Sequence, residues 1–288
     1  MKNIGIIGAE NSHAAAISKI INVDKKIKGF RVTHIWGETR AFAKKTAEAG
    51  NIPEIVKNPN EMIDSIDALI VDHRHGKHHL SAAEPFIEKK IPVFIDKPFC
   101  CQLNKGKKFL DKAKKKKAPV CSYSILPKQK SFSVLKKEVK KLGKLSAVVT
   151  TGPCDIQSKY GGIFFYGVHQ VDLILSAVGY DAVHVRMNKG KVNSTGTIFF
   201  KSGLVATMNC ISEKWPKFHF SAVGENGRTD MEMMHDDNPY LTGVRDFTRM
   251  FNTGKSPSTR ESMLMPVAVL EALEKSLKQK RMVKVGNV

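Results

Sequence analysis

A chain of 288 residues is long for one compact core, and domains of about 100 to 200 residues make two the expected number. Hydrophobic residues at 42% and charged ones at 26% fit a soluble globular protein, and no apolar run approaches the roughly 20 residues that a bilayer-crossing helix needs. The formal charge of +20 is spread: residues 1–123 hold 23 Lys and Arg against 13 Asp and Glu, the remainder 24 against 14, so no segment stands out as a nucleic-acid footprint.

The opening residues 1–8 have strand character without a signal-peptide cleavage pattern, and a cytoplasmic protein with no membrane partner is expected. Five cysteines, an odd number with no C-x-x-C pair, argue against a disulfide framework or a zinc knuckle.

In chain order, residues 2–8 read as a strand, 12–22 as a helix, 31–36 as a strand and 39–49 as a helix. Residues 67–71, 92–95 and 119–123 read as further strands, with helices at 79–89 and 104–117. The last of these helices is lysine-rich, with Phe109, Leu110 and Ala113 on one side and the lysines left to solvent. Strands alternating with helices of this length predict a parallel, doubly wound sheet over residues 1–123.

After residue 124 the rhythm changes. A helix at 132–142, a strand at 145–151 and a helix at 167–178 precede extended runs at 182–187, 196–201, 204–210 and 218–223. Helices at 239–251 and 262–280 and a short strand at 281–285 close the chain. Consecutive strands without intervening helices predict an α+β domain over 124–288 with a mostly antiparallel, open sheet.

The strand KNIGIIG runs into A-E-N-S-H and a helix, which is where a Rossmann dinucleotide-binding domain places its phosphate turn. Gly8, Ala9, Glu10, Asn11, Ser12 and His13 are therefore candidate cofactor contacts, with Gly8 as the first fingerprint glycine, Glu10 at the position of the second and Ser12 as the expected helix cap. After the second strand, Gly37, Glu38 and Arg40 stand where an acid would take a ribose hydroxyl or a base a 2′-phosphate, leaving NAD and NADP both open.

The stretch D-H-R-H-G-K-H-H, residues 72–79, lies at the carboxyl edge of the sheet. Its four histidines invite a metal, but no completing carboxylate or cysteine is at the usual spacing, and one loop cannot aim four imidazoles inward. No metal is expected, and Asp72, His73 and His78 read as cofactor-lining. On the later helix, His169 and Asp172 are three apart, with Ser176 seven after His169, forming a polar stripe among Val168, Val171, Ile174 and Leu175.

The run P-V-F-I-D-K-P-F, residues 92–99, resembles the E-K-P signature of the Gfo/Idh/MocA family (glucose-fructose oxidoreductase, inositol dehydrogenase and rhizopine catabolism), with Asp96 in place of Glu. G-G-I-F-F-Y-G-V-H-Q-V-D-L, residues 161–173, is similar to that family's histidine-containing helix, and GVRDFTRMFNTGKSP with the ESMLMPVAVLEALEKSLKQKRMVKV tail to its closing helices and strand. The resemblance covers the whole chain in order.

It implies NAD or NADP as cofactor, Lys97 beside the nicotinamide and the reacting oxygen, His169 as general acid/base and Asp172 as its orienting partner. Substrate contacts would come from Lys97, Tyr166, His169 and Asp172, and a homodimer or homotetramer would form. The implied function is an NAD(P)-dependent dehydrogenase or reductase acting on a secondary hydroxyl or carbonyl of a sugar, cyclitol or related polyol, with the basic charge favouring an anionic one. Two positions depart from the pattern: Glu10 in the phosphate turn, and Phe165, where family dehydrogenases carry an aspartate four residues before the histidine. They keep open an alternative, a catalytically reduced relative that binds a nucleotide or sugar as a sensor or partner subunit.

Overall fold

The computed structural model describes residues 1–213 and 215–288, and the chain forms two compact units. Residues 1–100, 104–123 and 240–259 make up the first; residues 101–103, 124–239 and 260–288 the second. Among the described residues no helix is long and apolar enough to cross a membrane.

The first unit contains β1 (Lys2–Ile7), α1 (Ser12–Ser18), β2 (Phe30–Trp36), α2 (Arg40–Gly50), β3 (Glu54–Ile55), β4 (Ala68–Val71), α3 (His79–Glu88), β5 (Val93–Ile95), α4 (Leu103–Lys116) and β6 (Val120–Cys121). The six strands lie in the order β3-β2-β1-β4-β5-β6 and every pairing is parallel. That is the Rossmann order, in which the carboxyl ends of β1, β4 and β5 lie side by side. Ile4, Ile6 and Ile7 of β1 and all four residues of β4 have no exposed surface or almost none, as expected of a sheet covered on both faces.

Two local features depart from the sequence reading. α1 does not run as one α-helix to residue 22, because Lys19–Val23 winds as a π-helix. The wider turn brings Asn22 to the edge of the sheet, where its side chain donates to the carbonyls of Val32 and Gly50 at 2.9 Å and accepts from Val32 N at 2.9 Å. β3 has no sequence signal at all: its two residues are exposed, and it exists only through pairing with the edge of β2. On α4, Phe109, Leu110 and Ala113 are buried, while Lys112 reaches Glu84 and Glu88 of α3 at 2.7 and 2.5 Å.

The second unit contains α5 (Lys130–Lys141), β7 (Leu145–Pro153), α6 (Ile163–Val178), β8 (Ala182–Lys189), β9 (Ser194–Phe200), β10 (Val205–Ile211), β11 (His219–Gly224) and β12 (Gly227–Glu232). α7 (Leu241–Thr253), α8 (Arg260–Gln279) and β13 (Val283–Lys284) follow. The seven strands are ordered β12-β11-β7-β10-β9-β8-β13, antiparallel except for the parallel pair β7 and β10. Strict burial alternation along β9 and β10 gives the sheet one face packed on helices and one less covered. β12 was not read from the sequence, since its residues GRTDME carry no apolar alternation.

α6 begins one turn earlier than the glycine at 167 suggests. Gly167 does not break the helix; it lies at a close approach, where an added Cβ would stand 2.9 Å from Ile163 Cγ1 and 3.2 Å from Cys154 Sγ. Gln170, fully buried on the same helix, accepts from Thr150 Oγ1 at 3.0 Å and donates to the Asn209 carbonyl at 3.1 Å, which docks α6 onto β7 and β10.

α7 belongs to the first unit, although the sequence reading assigned all of 124–288 to the second. Its Val244, Phe247, Met250 and Phe251 join the core built by Ile4, Phe30 and Phe94, with Phe94 and Phe247 stacked at 4.6 Å. An apolar stripe at helical spacing specifies that a helix is half-buried, not which core receives it.

Candidate active site

In the first unit the site residues gather where β1, β2, β4 and β5 end. Gly8 has φ +107° and lies so close to β4 that an added Cβ would be 2.5 Å from both the Asp72 carbonyl carbon and the His73 nitrogen. Only glycine fits this turn. Ala9 and Glu10 donate their backbone N–H groups to Glu38 Oε2, each at 2.9 Å, and His73 Nδ1 lies 2.9 Å from Glu38 Oε1. Burial alone would raise the Glu38 carboxyl, but these hydrogen bonds outweigh it and bring it down to about 2.

The helix cap differs from the expectation. Ser12 is the first residue of α1 and exposed, and the cap position is Asn11, whose side chain does not cap. It turns inward, with Nδ2 donating to Asp72 Oδ1 at 2.9 Å and Asp96 Oδ2 at 3.2 Å. His13 Nδ1 lies 3.1 Å from Asp96 Oδ2 and 3.9 Å from Asp72 Oδ1.

Burial and the Asp96 charge push the Asp72 carboxyl well up, against the opposing pull of Lys97, the Ala14 amide and Asn11. Asp96 moves the other way: burial would raise it, but the His13 ring and the Lys97 ammonium hold it below the usual carboxylate range. Lys97 itself is buried, and the peptide bond from it to Pro98 is cis.

The histidine-rich loop divides. His79 is fully buried, its ring nitrogens 2.7 Å from the carbonyls of Pro98 and His73, and burial lowers it to about 4. His73 is buried against Glu38 and Trp36, whereas His78 is exposed and His75 is partly so. Gly37 is close-packed against Ala9 and Ala43, and Arg40 is exposed at the start of α2. The turn fits a dinucleotide: a glycine where the backbone must pass close, an acid at the end of β2, and a following helix without a side-chain cap.

In the second unit, α6 carries His169 and Asp172, both buried. Ser124 links them: its backbone N–H donates to Asp172 Oδ2 at 3.0 Å, and its Oγ lies 2.7 Å from His169 Nδ1. Leu126 N donates to the same Oγ at 3.2 Å. Burial raises the Asp172 carboxyl to about 7, opposed only by the Ser124 amide.

Ser176, the third member of the stripe, instead meets the Tyr180 hydroxyl at 3.4 Å. Phe165 is part of a run of rings, 5.0 Å from Tyr160 and 4.8 Å from Tyr166, and Tyr166 is 5.5 Å from His169 and 4.6 Å from Trp215. Phe218 lies 5.5 Å from His169.

Residues 2–124 match the family model described as GFO_IDH_MocA, oxidoreductase family, NAD-binding Rossmann fold. The protein has the Gfo/Idh/MocA family oxidoreductase fold. Similar solved structures include myo-inositol 2-dehydrogenase from Lactobacillus plantarum, at 17% identity and TM-score 0.86 with 99% of each chain covered. Myo-inositol dehydrogenase from Lactobacillus casei in complex with NAD(H) and myo-inositol matches at 15% identity and TM-score 0.86, covering 100% of this chain and 98% of that one. Scyllo-inositol dehydrogenase from the same organism, with bound NAD(H) and scyllo-inositol, matches at 13% identity and TM-score 0.85 over 100% of both chains. No curated protein matches the sequence.

Within this Gfo/Idh/MocA fold, sequence reasoning missed Ser124 and the inward turn of Asn11. Ser124 follows a two-residue strand with no motif around it, so no signal separated it from an ordinary loop serine. Asn11 was placed in the phosphate turn, but whether an Asx side chain caps its own helix or faces neighbouring strands depends on what those strands present.

Proposed function

We propose that this protein is an NAD-dependent oxidoreductase acting on a secondary hydroxyl or carbonyl of a polyol or sugar. The reading is carried by the nucleotide end, where Glu38 is held by the Ala9 and Glu10 amides at the close of β2. An acid in that place accepts ribose hydroxyls and repels a 2′-phosphate, which favours NAD over NADP. Gly8 through His13 would hold the cofactor's phosphates, and bound NAD would supply the two-electron redox chemistry.

The proton of the substrate oxygen falls to His169. Ser124 Oγ accepts from Leu126 N and lies 2.7 Å from His169 Nδ1, so it orients the ring through that nitrogen. Nε2 is then the atom left to exchange a proton with the substrate oxygen. Asp172, with its carboxyl at about 7, is held by the same serine and orients the substrate or the ring. The inositol dehydrogenases among the similar structures support a cyclitol or sugar as substrate class.

Calorimetric titration with NAD and NADP, followed by a polyol panel read by nicotinamide absorbance, tests the proposal. NAD binding with turnover is expected; binding of neither nucleotide overturns it. A second reading, a non-catalytic ligand-binding relative, draws on Phe165, whose ring sits among Tyr160 and Tyr166 where the resemblance implies a carboxylate. It expects thermal stabilisation by ligand without turnover, and turnover that is lost in Lys97→Ala would eliminate it.

A further inference from the structure

We infer that His13, Asp72 and Asp96 form a binding site for one divalent transition-metal ion, of the zinc or manganese kind, where β1, β4 and β5 end. One ligand atom from each residue lies within 4.8 Å of the others, with His13 Nδ1 3.1 Å from Asp96 Oδ2 and 3.9 Å from Asp72 Oδ1. Ligand atoms sharing an ion at about 2.0–2.2 Å stand roughly 3 to 4.4 Å apart, so little adjustment is required.

Two further observations point to a cation. Asn11 Nδ2 sits between the two carboxylates, donating to both, which is where a positive charge would be most favourable; turning the amide over presents Oδ1 to an ion as a fourth ligand. Asp72 is wholly buried, and its Oδ2 makes no hydrogen bond. A buried carboxylate oxygen without a donor is costly, and a bound ion would satisfy it. The Lys97 ammonium acts on both acids and the His13 ring on Asp96, so positive charge is already favoured here.

The donor set fixes the class of ion. One imidazole with carboxylate and amide oxygens, and no thiolate, suits zinc or manganese better than calcium, copper(I) or an iron–sulfur cluster. The histidines of the neighbouring loop do not form this site. His73 faces Glu38, His79 faces two carbonyl oxygens, and His75 and His78 are turned partly or fully to solvent. The inference does not depend on the cofactor reading, and its test contains no nucleotide.

The full chain, stripped with a chelator, is titrated with zinc and separately with manganese by calorimetry. One ion per chain is expected, with affinity at least about 100-fold lower in His13→Ala and Asp96→Asn and unchanged in His75→Ala and His78→Ala. Circular dichroism establishes that each variant is folded. Asn11→Asp serves as a second test: it replaces the neutral amide oxygen with a charged carboxylate oxygen and should tighten binding. Three outcomes would overturn the site: no stoichiometric binding of either ion, binding that survives both ligand substitutions, or loss in the His75 or His78 variants instead.

Discussion

Asp96 and Asp172 are both buried aspartates at polar sites, one in each unit, and their surroundings drive them in opposite directions. Asp96 has the His13 ring, the Asn11 amide and the Lys97 charge around it and stays ionised well below the usual range. Asp172 has one backbone amide, from Ser124, and burial lifts it to about 7. Burial is common to both, so the number and charge of the donors decide the protonation state. Asp96 is therefore held as an anion among its donors, and Asp172 holds a proton near neutrality.

The largest test of this contrast is at the proton-handling end. His169→Ala should lower kcat by roughly 100- to 10,000-fold, measured by steady-state kinetics on a variant that circular dichroism establishes as folded. A kcat within a few-fold of the parent would remove the histidine from the chemistry.

Asp172 supplies a test without substrate. Its folded value lies above the unfolded one, so the folded state binds the proton more tightly and stability falls as pH rises through the window from about 4 to 7. The loss is on the order of 4 kcal/mol across that window. Urea midpoints from pH 4 to 8 should decline in the parent and flatten in Asp172→Asn; parallel curves would mean that the carboxyl is solvated.

Ser124→Ala should cost about 1 to 3 kcal/mol, because the Leu126 amide and His169 Nδ1 lose their shared hydroxyl. Its pH–rate profile should shift as well, and Ser124→Thr should restore it. The smallest effect is expected at Glu38. Glu38→Gln keeps oxygen for the Ala9 and Glu10 amides but removes the charge, so the ratio of NADP to NAD dissociation constants should fall about 10-fold, near 1.4 kcal/mol.

Much of the architecture was legible because periodicity reports burial directly. Strands of unbroken Ile and Val separated by amphipathic helices indicated the parallel sheet, and the alternation along β9 and β10 indicated the antiparallel one. Where an element had no buried face, as in β3 and β12, the sequence was silent, since pairing at an edge needs only backbone. Glycine misled at 167, where the residue serves a close contact inside a helix, not a boundary.

The sequence by itself indicated the two kinds of sheet and three motifs: the Gly8 turn, the Asp96-Lys97-Pro98 turn and the polar stripe of α6. Only the tertiary structure decided that His13 and Asp96, 83 positions apart, would share a hydrogen bond, that α7 would return to the first core, and that Ser124 would hold both His169 and Asp172. A parallel sheet sets its strand ends next to one another whatever length of chain intervenes. Which side chains then meet depends on strand order and rotamer, and neither is written in local sequence.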